Sequence, residues 1–179
     1  MDFKESKTYQ NLQTAMKSEL VTGAKYLIYS QKAYEDGYNL VGDIFEETSR
    51  NEIEHAKIWF KLLLGGKIPS TLDNIREAAS GENREWNSMY PEYAKTAREE
   101  GYDEIAELFE RVSRVENNHD ARFETLAWDL ESGQIFSREN EAVWHCKNCG
   151  YLEWAKAAPK RCPACSYPKS CFQLYCEPF

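Results

Sequence analysis

Apolar side chains recur every three to four positions through most of this sequence, and glycines cut the pattern into four stretches. Gly37, the pair Gly65 and Gly66, Gly101 and Gly133 stand where such stretches stop. One stripe of the first stretch carries Leu12, Ala15, Glu19, Thr22, Tyr26 and Ala33, and the second carries Phe45, Thr48, Glu52, His55, Trp59 and Leu62. The third offers Ile75, Ala78, Glu85, Met89 and Tyr93, and the fourth Ile105, Leu108, Val112, Glu116, His119, Phe123 and Leu126. Four amphipathic helices joined by short turns predict an all-α four-helix bundle. Pro91 lies inside the third pattern and predicts a kink or a break there. Beyond Gly133 the helical period is lost and the chain becomes rich in cysteine, proline and aromatic residues. The expected domains are therefore 1–135 and 136–179, with the boundary at residues 134–143.

The stripes hold charge where a core is expected. Glu19, Glu52, His55, Glu85, Glu116 and His119 all occupy positions that the helical period turns inward. Unpaired carboxylates are costly to bury, so something must compensate them. Glu52 with His55, and Glu116 with His119, are each Glu-x-x-His, which sets a carboxylate and an imidazole one turn apart on one face. Each pair is preceded, at nearly the same distance along the chain, by a lone glutamate, Glu19 before the first and Glu85 before the second. A single Glu-x-x-His is common on solvated faces, but two on apolar stripes, each with a lone partner, form the ligand pattern of ferritin-like di-iron or di-manganese carboxylate proteins. Carboxylate-rich ligation with two imidazoles favours iron or manganese over zinc or copper.

All six cysteines fall between Cys146 and Cys176. Cys146-Lys-Asn-Cys149 and Cys162-Pro-Ala-Cys165 form two CxxC pairs whose four thiolates suit a zinc ribbon or a single iron, a choice that spacing leaves open. Cys171 and Cys176 exceed four-coordinate needs and read as small apolar residues or surface thiols, and His145 is likewise surplus. No apolar run of membrane-spanning length occurs, and the opening MDFKESKTYQ lacks a signal-peptide pattern, so a cytoplasmic location is expected. A reducing cytosol favours metal ligation over disulfides. The net charge of −8 disfavours nucleic acid and anionic membrane as partners.

With both halves in view, the chain resembles a rubrerythrin over essentially its whole length. The resemblance is carried by Asp43-Ile44-Phe45-Glu46-Glu47-Thr48, Glu54-His55-Ala56-Lys57, Met89-Tyr90-Pro91, Arg98-Glu99-Glu100-Gly101-Tyr102 and the Cys-x-x-Cys-Gly-Tyr and Cys-Pro-x-Cys strings. It implies a ferritin-like di-iron bundle followed by a rubredoxin-like domain with one iron on four cysteines. It also implies reduction of hydrogen peroxide to water in oxidative-stress defence, with electrons from rubredoxin or NAD(P)H-dependent reductases. Carried over, Glu19, Glu52, Glu85 and Glu116 become carboxylate ligands, with Glu52 and Glu116 bridging, and His55 and His119 the imidazole ligands. Tyr26 and Tyr93 match tyrosines that hydrogen-bond ligand carboxylates, and read as readily as core aromatics. The family usually has a further carboxylate one turn after the Glu85 position, where this chain has Ser88, so the redox-linked exchange of that carboxylate for histidine is expected to be missing. Glu92 reads as solvent-exposed. Rival functions are ferritin-type iron storage, against which the cysteine module counts, and a bundle carrying a structural zinc ribbon.

Assembly follows from chain length. In a ferritin-like bundle the second and third helices run parallel, so the chain must return along the bundle between them. A third helix starting at Asp73 leaves an axial gap of ~38 Å at ~1.5 Å per residue. The residues Gly66 to Leu72 span at most ~29 Å at ~3.6 Å per step. Either the third helix starts later, near Ser80 and Gly81, or a homodimer exchanges helical hairpins, which is the preferred expectation.

Overall fold

A computed structural model describes residues Asp2 to Cys176. After a short 3-10 turn (Phe3–Glu5), helix α1 (Lys7–Glu35) starts where the Ser6 hydroxyl accepts the Tyr9 N–H at 3.1 Å. It stops at Gly37, whose φ of +82° only glycine adopts without strain, and there the Tyr38 N–H donates to the Ala33 carbonyl at 2.8 Å. Helix α2 (Asn39–Leu63) then returns antiparallel to α1.

Packing divides the chain into two compact units, one ending at Pro69 and the other starting at Ser70. In the first, α1 and α2 meet along a seam of small residues, with Gly23, Ser30 and Ala33 buried on one helix and Gly42, Ser49 and Ala56 on the other. The backbones come close at its centre, where the Ser49 hydroxyl donates to the Gly23 carbonyl at 2.8 Å. A Cβ at Gly23 would lie only 3.2 Å from Ile53 Cδ1 and 3.3 Å from the Ser49 carbonyl oxygen.

The second unit begins with α3 (Thr71–Arg84), capped by Ser70, whose hydroxyl accepts the Asp73 N–H at 3.2 Å. The third helix thus starts early, and a start near Ser80 does not occur. The break expected at Pro91 is a π-helical turn, Glu85–Met89, which joins α3 to α4 (Tyr90–Glu99). Its cause is local. Proline has no N–H to return to the preceding turn, and the Trp86 carbonyl there is satisfied instead by the Ser113 hydroxyl at 3.0 Å. Helix α5 (Asp103–Glu131) packs antiparallel on both α3 and α4.

Past Gly133 the chain forms a small antiparallel sheet in the order β2-β1-β3, from β1 (Ser137–Cys146), β2 (Leu152–Ala157) and β3 (Phe172–Leu174). Trp144, Cys146, Ala158, Cys162 and Phe172 form its core, and the Trp144 indole N–H is satisfied by the Ala155 carbonyl at 3.0 Å. An ion pair of 2.7 Å between Asp129 on α5 and Arg138 on β1 ties the sheet to the last helix. The chain is thus mostly helical, with a small strand module bearing four cysteines after the helices. Among the described residues no helix is long and apolar enough to cross a membrane.

The apolar side chains that the helices bury are nevertheless small. Among the described residues every fully buried apolar side chain on them is an alanine, while Leu62, Ile105, Leu108, Val112 and Leu126, read above as core, are exposed, Leu108 by 56%. A helical hairpin buries its seam alone, and the wider apolar stripe needs a further layer. The seam itself is tested at Ser49. Ser49→Ala is expected to cost about 1 kcal/mol for one lost hydrogen bond. Ser49→Leu, which forces the two backbones apart, is expected to cost a further ~1–3 kcal/mol. Urea unfolding of the metal-free protein measures both, and a leucine variant as stable as the alanine variant would contradict the close seam.

Candidate metal centres

Two carboxylate–imidazole clusters and one thiol cluster emerge from these elements. On the first hairpin the ligand atoms of Glu19 from α1 and of Glu52 and His55 from α2 lie within 4.8 Å of one another. His55 Nδ1 is 3.1 Å from Glu52 Oε2, and while Glu52 is only 17% exposed, His55 is 52% exposed. The seam residues just described set the two helices at the register that brings Glu19 level with the Glu-x-x-His pair.

In the second unit the cluster is Glu82, Glu116 and His119. His119 Nδ1 lies 2.7 Å from Glu116 Oε2 and 3.6 Å from Glu82 Oε2. The lone carboxylate that joins the pair is therefore Glu82, one turn before Glu85. The two share a stripe, so the period alone does not separate them. Internal repetition does: Glu82 stands one position further from Gly101 than Glu19 stands from Gly37, whereas Glu85 stands two positions nearer. The additional residue belongs to the π turn, which fits an extra residue into the helix between Glu85 and Met89.

This corrects the reading at Ser88. With Glu82 in the lone position, the carboxylate one turn further on is Glu85. The Ser88 hydroxyl is bonded to its own helix, donating to the Arg84 carbonyl at 2.9 Å. Glu92 is exposed, as expected.

The tyrosines shift by the same logic. Tyr26 sits on the first hairpin against Tyr29 and Phe45, with ring centroids 6.3 and 5.6 Å away. In the second unit the tyrosine beside the carboxylates is Tyr90: partial burial, then the charges of Glu85, Glu116 and Glu82, hold its phenol above the usual tyrosine range. Tyr93 is half exposed and packs on Tyr90 and Phe109. Tyr90 stands one position further past Glu82 than Tyr26 stands past Glu19, again the extra residue of the π turn.

Electrostatics show what the second cluster lacks. Partial burial, together with a hydrogen bond and charge repulsion from Glu116, raises the Glu82 carboxyl, and His119 only partly offsets this. Positive charge added beside the Glu82 carboxylate favours its ionised form. Beneath them Asp120, buried next to His119, accepts hydrogen bonds at 2.8 Å from both Asn83 and Trp86, the residues following Glu82 and Glu85. This clasp fixes the register of α3 and the π turn against α5.

The four cysteines close a separate site. Cys146 and Cys165 sulfurs are 3.8 Å apart, Cys149 and Cys162 sulfurs 3.6 Å. A tetrahedron of ~2.3 Å metal–sulfur bonds has edges of about 3.8 Å, so the set fits one tetrahedral ion. Each CxxC pair is the same knuckle: the Cys146 N–H donates to the Tyr151 carbonyl and the Cys162 N–H to the Tyr167 carbonyl, at 2.9 and 2.8 Å. Gly150 and Ser166 take positive φ at matching positions. The Tyr151 N–H favours the Cys149 thiolate, yet the thiols of Cys165, Cys162 and Cys146, with partial burial, push it up to about 12. The Tyr167 N–H and Asn148 bring Cys165 down to about 6. Four thiolates this close call for a cation. Cys171 and Cys176 stay outside the set.

Known proteins match both parts of the chain. A family model described as Rubrerythrin matches residues 10–127, and one described as Rubrerythrin, rubredoxin-like domain matches residues 144–173. The rubrerythrin of Porphyromonas gingivalis is 40% identical over 95% of this chain and 90% of its own length. That of Nitratidesulfovibrio vulgaris is 40% identical over 96% and 95%. Among solved structures, fully reduced all-ferrous nigerythrin matches at 27% identity and a TM-score of 0.36, over 97% of this chain and 91% of that one.

The corrected ligand set is tested by two substitutions. Glu82→Ala is expected to abolish iron binding at the second cluster, and Ser88→Ala to leave iron content unchanged and stability within ~0.5 kcal/mol. Metal analysis of the two variants checks this, and iron lost from the serine variant but kept by the glutamate variant would reverse the assignment.

Proposed function

Because this chain belongs to the rubrerythrin family, we propose that it is a peroxidase that reduces hydrogen peroxide to two waters, consuming two electrons and two protons, in oxidative-stress defence. The observation that carries the reading is the pairing, in one chain, of a thiol tetrahedron suited to one-electron traffic with carboxylate–imidazole clusters suited to a metal pair.

Glu19, Glu52 and His55 of the first cluster, and Glu82, Glu85, Glu116 and His119 of the second unit, would hold the irons. Iron so held would supply Lewis acidity and electrons for cleavage of the oxygen–oxygen bond, and Cys146, Cys149, Cys162 and Cys165 would hold an iron suited to one-electron transfer. The side chains do the rest. The carboxylates would neutralise the cations, the Asp120 clasp holds Glu82 and Glu85 in register, and Tyr90 offers a phenolic hydrogen at the edge of the second carboxylate cluster. Glu82 and Glu85 give this cluster two carboxylates one turn apart, so a second carboxylate would be at hand for the iron without Ser88.

Electrons would come from NAD(P)H through separate reductases, or from a rubredoxin, in the cytoplasm. The working unit is a homodimer, and the functional domains are 1–135 and 136–179.

The test separates the two sites. Cys162→Ser is expected to bleach the visible absorption of the ferric thiolate iron and to stop peroxide turnover with a protein donor, while a small artificial reductant still drives it. Glu52→Ala is expected to stop turnover with either reductant, because a lost ligand carboxylate leaves the cations with less compensating charge. A Cys162→Ser protein that keeps full activity with the protein donor would overturn the relay, and a Glu52→Ala protein that keeps turnover would overturn the site.

A further inference from the structure

The second cluster departs from the first at three matched positions. Glu85 stands three residues after Glu82 where Thr22 stands three after Glu19, Trp86 stands four after Glu82 where Gly23 stands four after Glu19, and Asp120 follows His119 where Ala56 follows His55. The first hairpin therefore brings one carboxylate of an unbroken helix to its Glu-x-x-His pair. The second unit carries two carboxylates one turn apart, on a helix interrupted by a π turn. The extra carboxylate, the large ring, the buried acid and the interruption occur together, and hydrogen bonds connect them.

A π turn holds one residue more than an α turn, and such turns are rare and gather at functional sites. Here the Tyr90 N–H donates to the Glu85 carbonyl, five residues back, where an α-helix would use that of Trp86, four residues back. The Trp86 carbonyl would then need the N–H at position 91, and that residue is proline. The Ser113 hydroxyl takes its place at 3.0 Å. Trp86 is also held at its other end, where the indole N–H donates to Asp120 at 2.8 Å. Both ties reach α5, and Ser113 and Asp120 stand seven residues apart on it, with Glu116 between them on the same face. The first hairpin has only the matching backbone tie, from Ser49 to the Gly23 carbonyl. Its glycine carries no ring, and Ala56 offers no acceptor.

The consequence for the ligands follows from helix geometry. Closing the turn into an α-helix would move the extra residue along the chain and rotate what precedes it by ~100° about the axis relative to α4. Ala94 and Ala97 hold α4 against Ala106 of α5, so the rotation would fall on Glu82 and Glu85 and turn them from Glu116 and His119. The Asn83 amide, 2.8 Å from the same Asp120 oxygen, adds a tie one turn earlier.

We propose that Trp86, pinned to α5 through Ser113 and Asp120, is a positioning residue that keeps this turn in its π form and so aims Glu82 and Glu85 as a two-carboxylate pair at Glu116 and His119. What the pair holds rests on the di-iron reading above, and the pin rests on the hydrogen bonds alone. The indole and the Asp120 carboxylate act on the metal only through the backbone that carries the two glutamates.

Three substitutions in the full-length protein test the pin. Trp86→Phe keeps a ring and removes the N–H, Asp120→Leu keeps volume and removes the acceptor, and Asp120→Asn removes the charge and keeps an acceptor oxygen. Competition with a chelator reads the ferrous affinity of the bundle, and the visible absorption of the ferric thiolate iron checks that the cysteine module is intact. Trp86→Phe and Asp120→Leu are expected to weaken bundle iron about 10- to 100-fold, and Asp120→Asn to leave it near the wild-type value. As a control, Asp129→Asn breaks the ion pair to Arg138 further along the same helix, and is expected to lower stability without changing that affinity. A Trp86→Phe protein that binds ferrous iron as tightly as wild type overturns the proposal, and it decides alone should Asp120→Leu not fold. An Asp120→Asn protein as impaired as Trp86→Phe also overturns it, because charge and not the pin would then be what matters. A second measurement needs no iron. In nitrogen-15-labelled, metal-free protein the Trp86 indole N–H is expected to exchange with solvent far more slowly than that of exposed Trp128, and to lose this protection in Asp120→Leu. Rapid exchange in wild type contradicts the pin, whereas protection in a wild-type protein that takes up no bundle iron supports the pin and sinks the di-iron reading.

Discussion

Like charges gathered in one place must be compensated, and in this protein that requirement governs everything else. Partial burial and then the neighbouring Glu116 carboxyl raise the proton affinity of Glu82, and His119 offsets only part of the rise. The four thiols interact so strongly that Cys149 is pushed up to about 12. A cation held among such groups favours their ionised forms. Cations complete them, and the fold is organised to present the ligands that those cations need.

The two kinds of site are built differently. The thiol site is closed by adjacent segments of chain: two matching knuckles, each held by a pair of backbone hydrogen bonds, set four sulfurs at tetrahedral spacing around a core of Trp144 and Phe172. The carboxylate sites are built on helix faces. Small residues at Gly23, Ser49 and their neighbours draw α1 and α2 together tightly, and the larger apolar residues are left on the outer faces with the ligands. A close seam fixes the level of Glu19 against Glu52. It also leaves the wide apolar stripe to be covered from elsewhere, which is why the seam geometry and the assembly are one question.

Much of this is legible without coordinates. Glycine stops, the two Glu-x-x-His pairs and the two CxxC pairs depend on local rules, and each falls where those rules place it. The helical period assigns the lone glutamate of the second half wrongly, because Glu82 and Glu85 share a stripe and the π turn shifts the count by one residue. A strict comparison of the two halves contains that shift: the step from Glu82 to Glu116 is one residue longer than the step from Glu19 to Glu52, and the spacing to Tyr90 carries the same excess. The exposure of Leu108 and Val112 is not legible, because a hydrophobic period identifies a face and is silent on what covers it.

The central claim is that this chain carries a coupled pair of irons on carboxylates and imidazoles beside a single iron on four cysteines. Mössbauer spectroscopy of protein prepared without oxygen and loaded with iron-57 measures it most directly. The account predicts about three irons per chain, with twice as much signal from an oxygen- and nitrogen-ligated, spin-coupled pair as from a tetrahedral thiolate iron. Zinc in the cysteine site, or carboxylate-bound iron that shows no coupling and only one equivalent per chain, would contradict it.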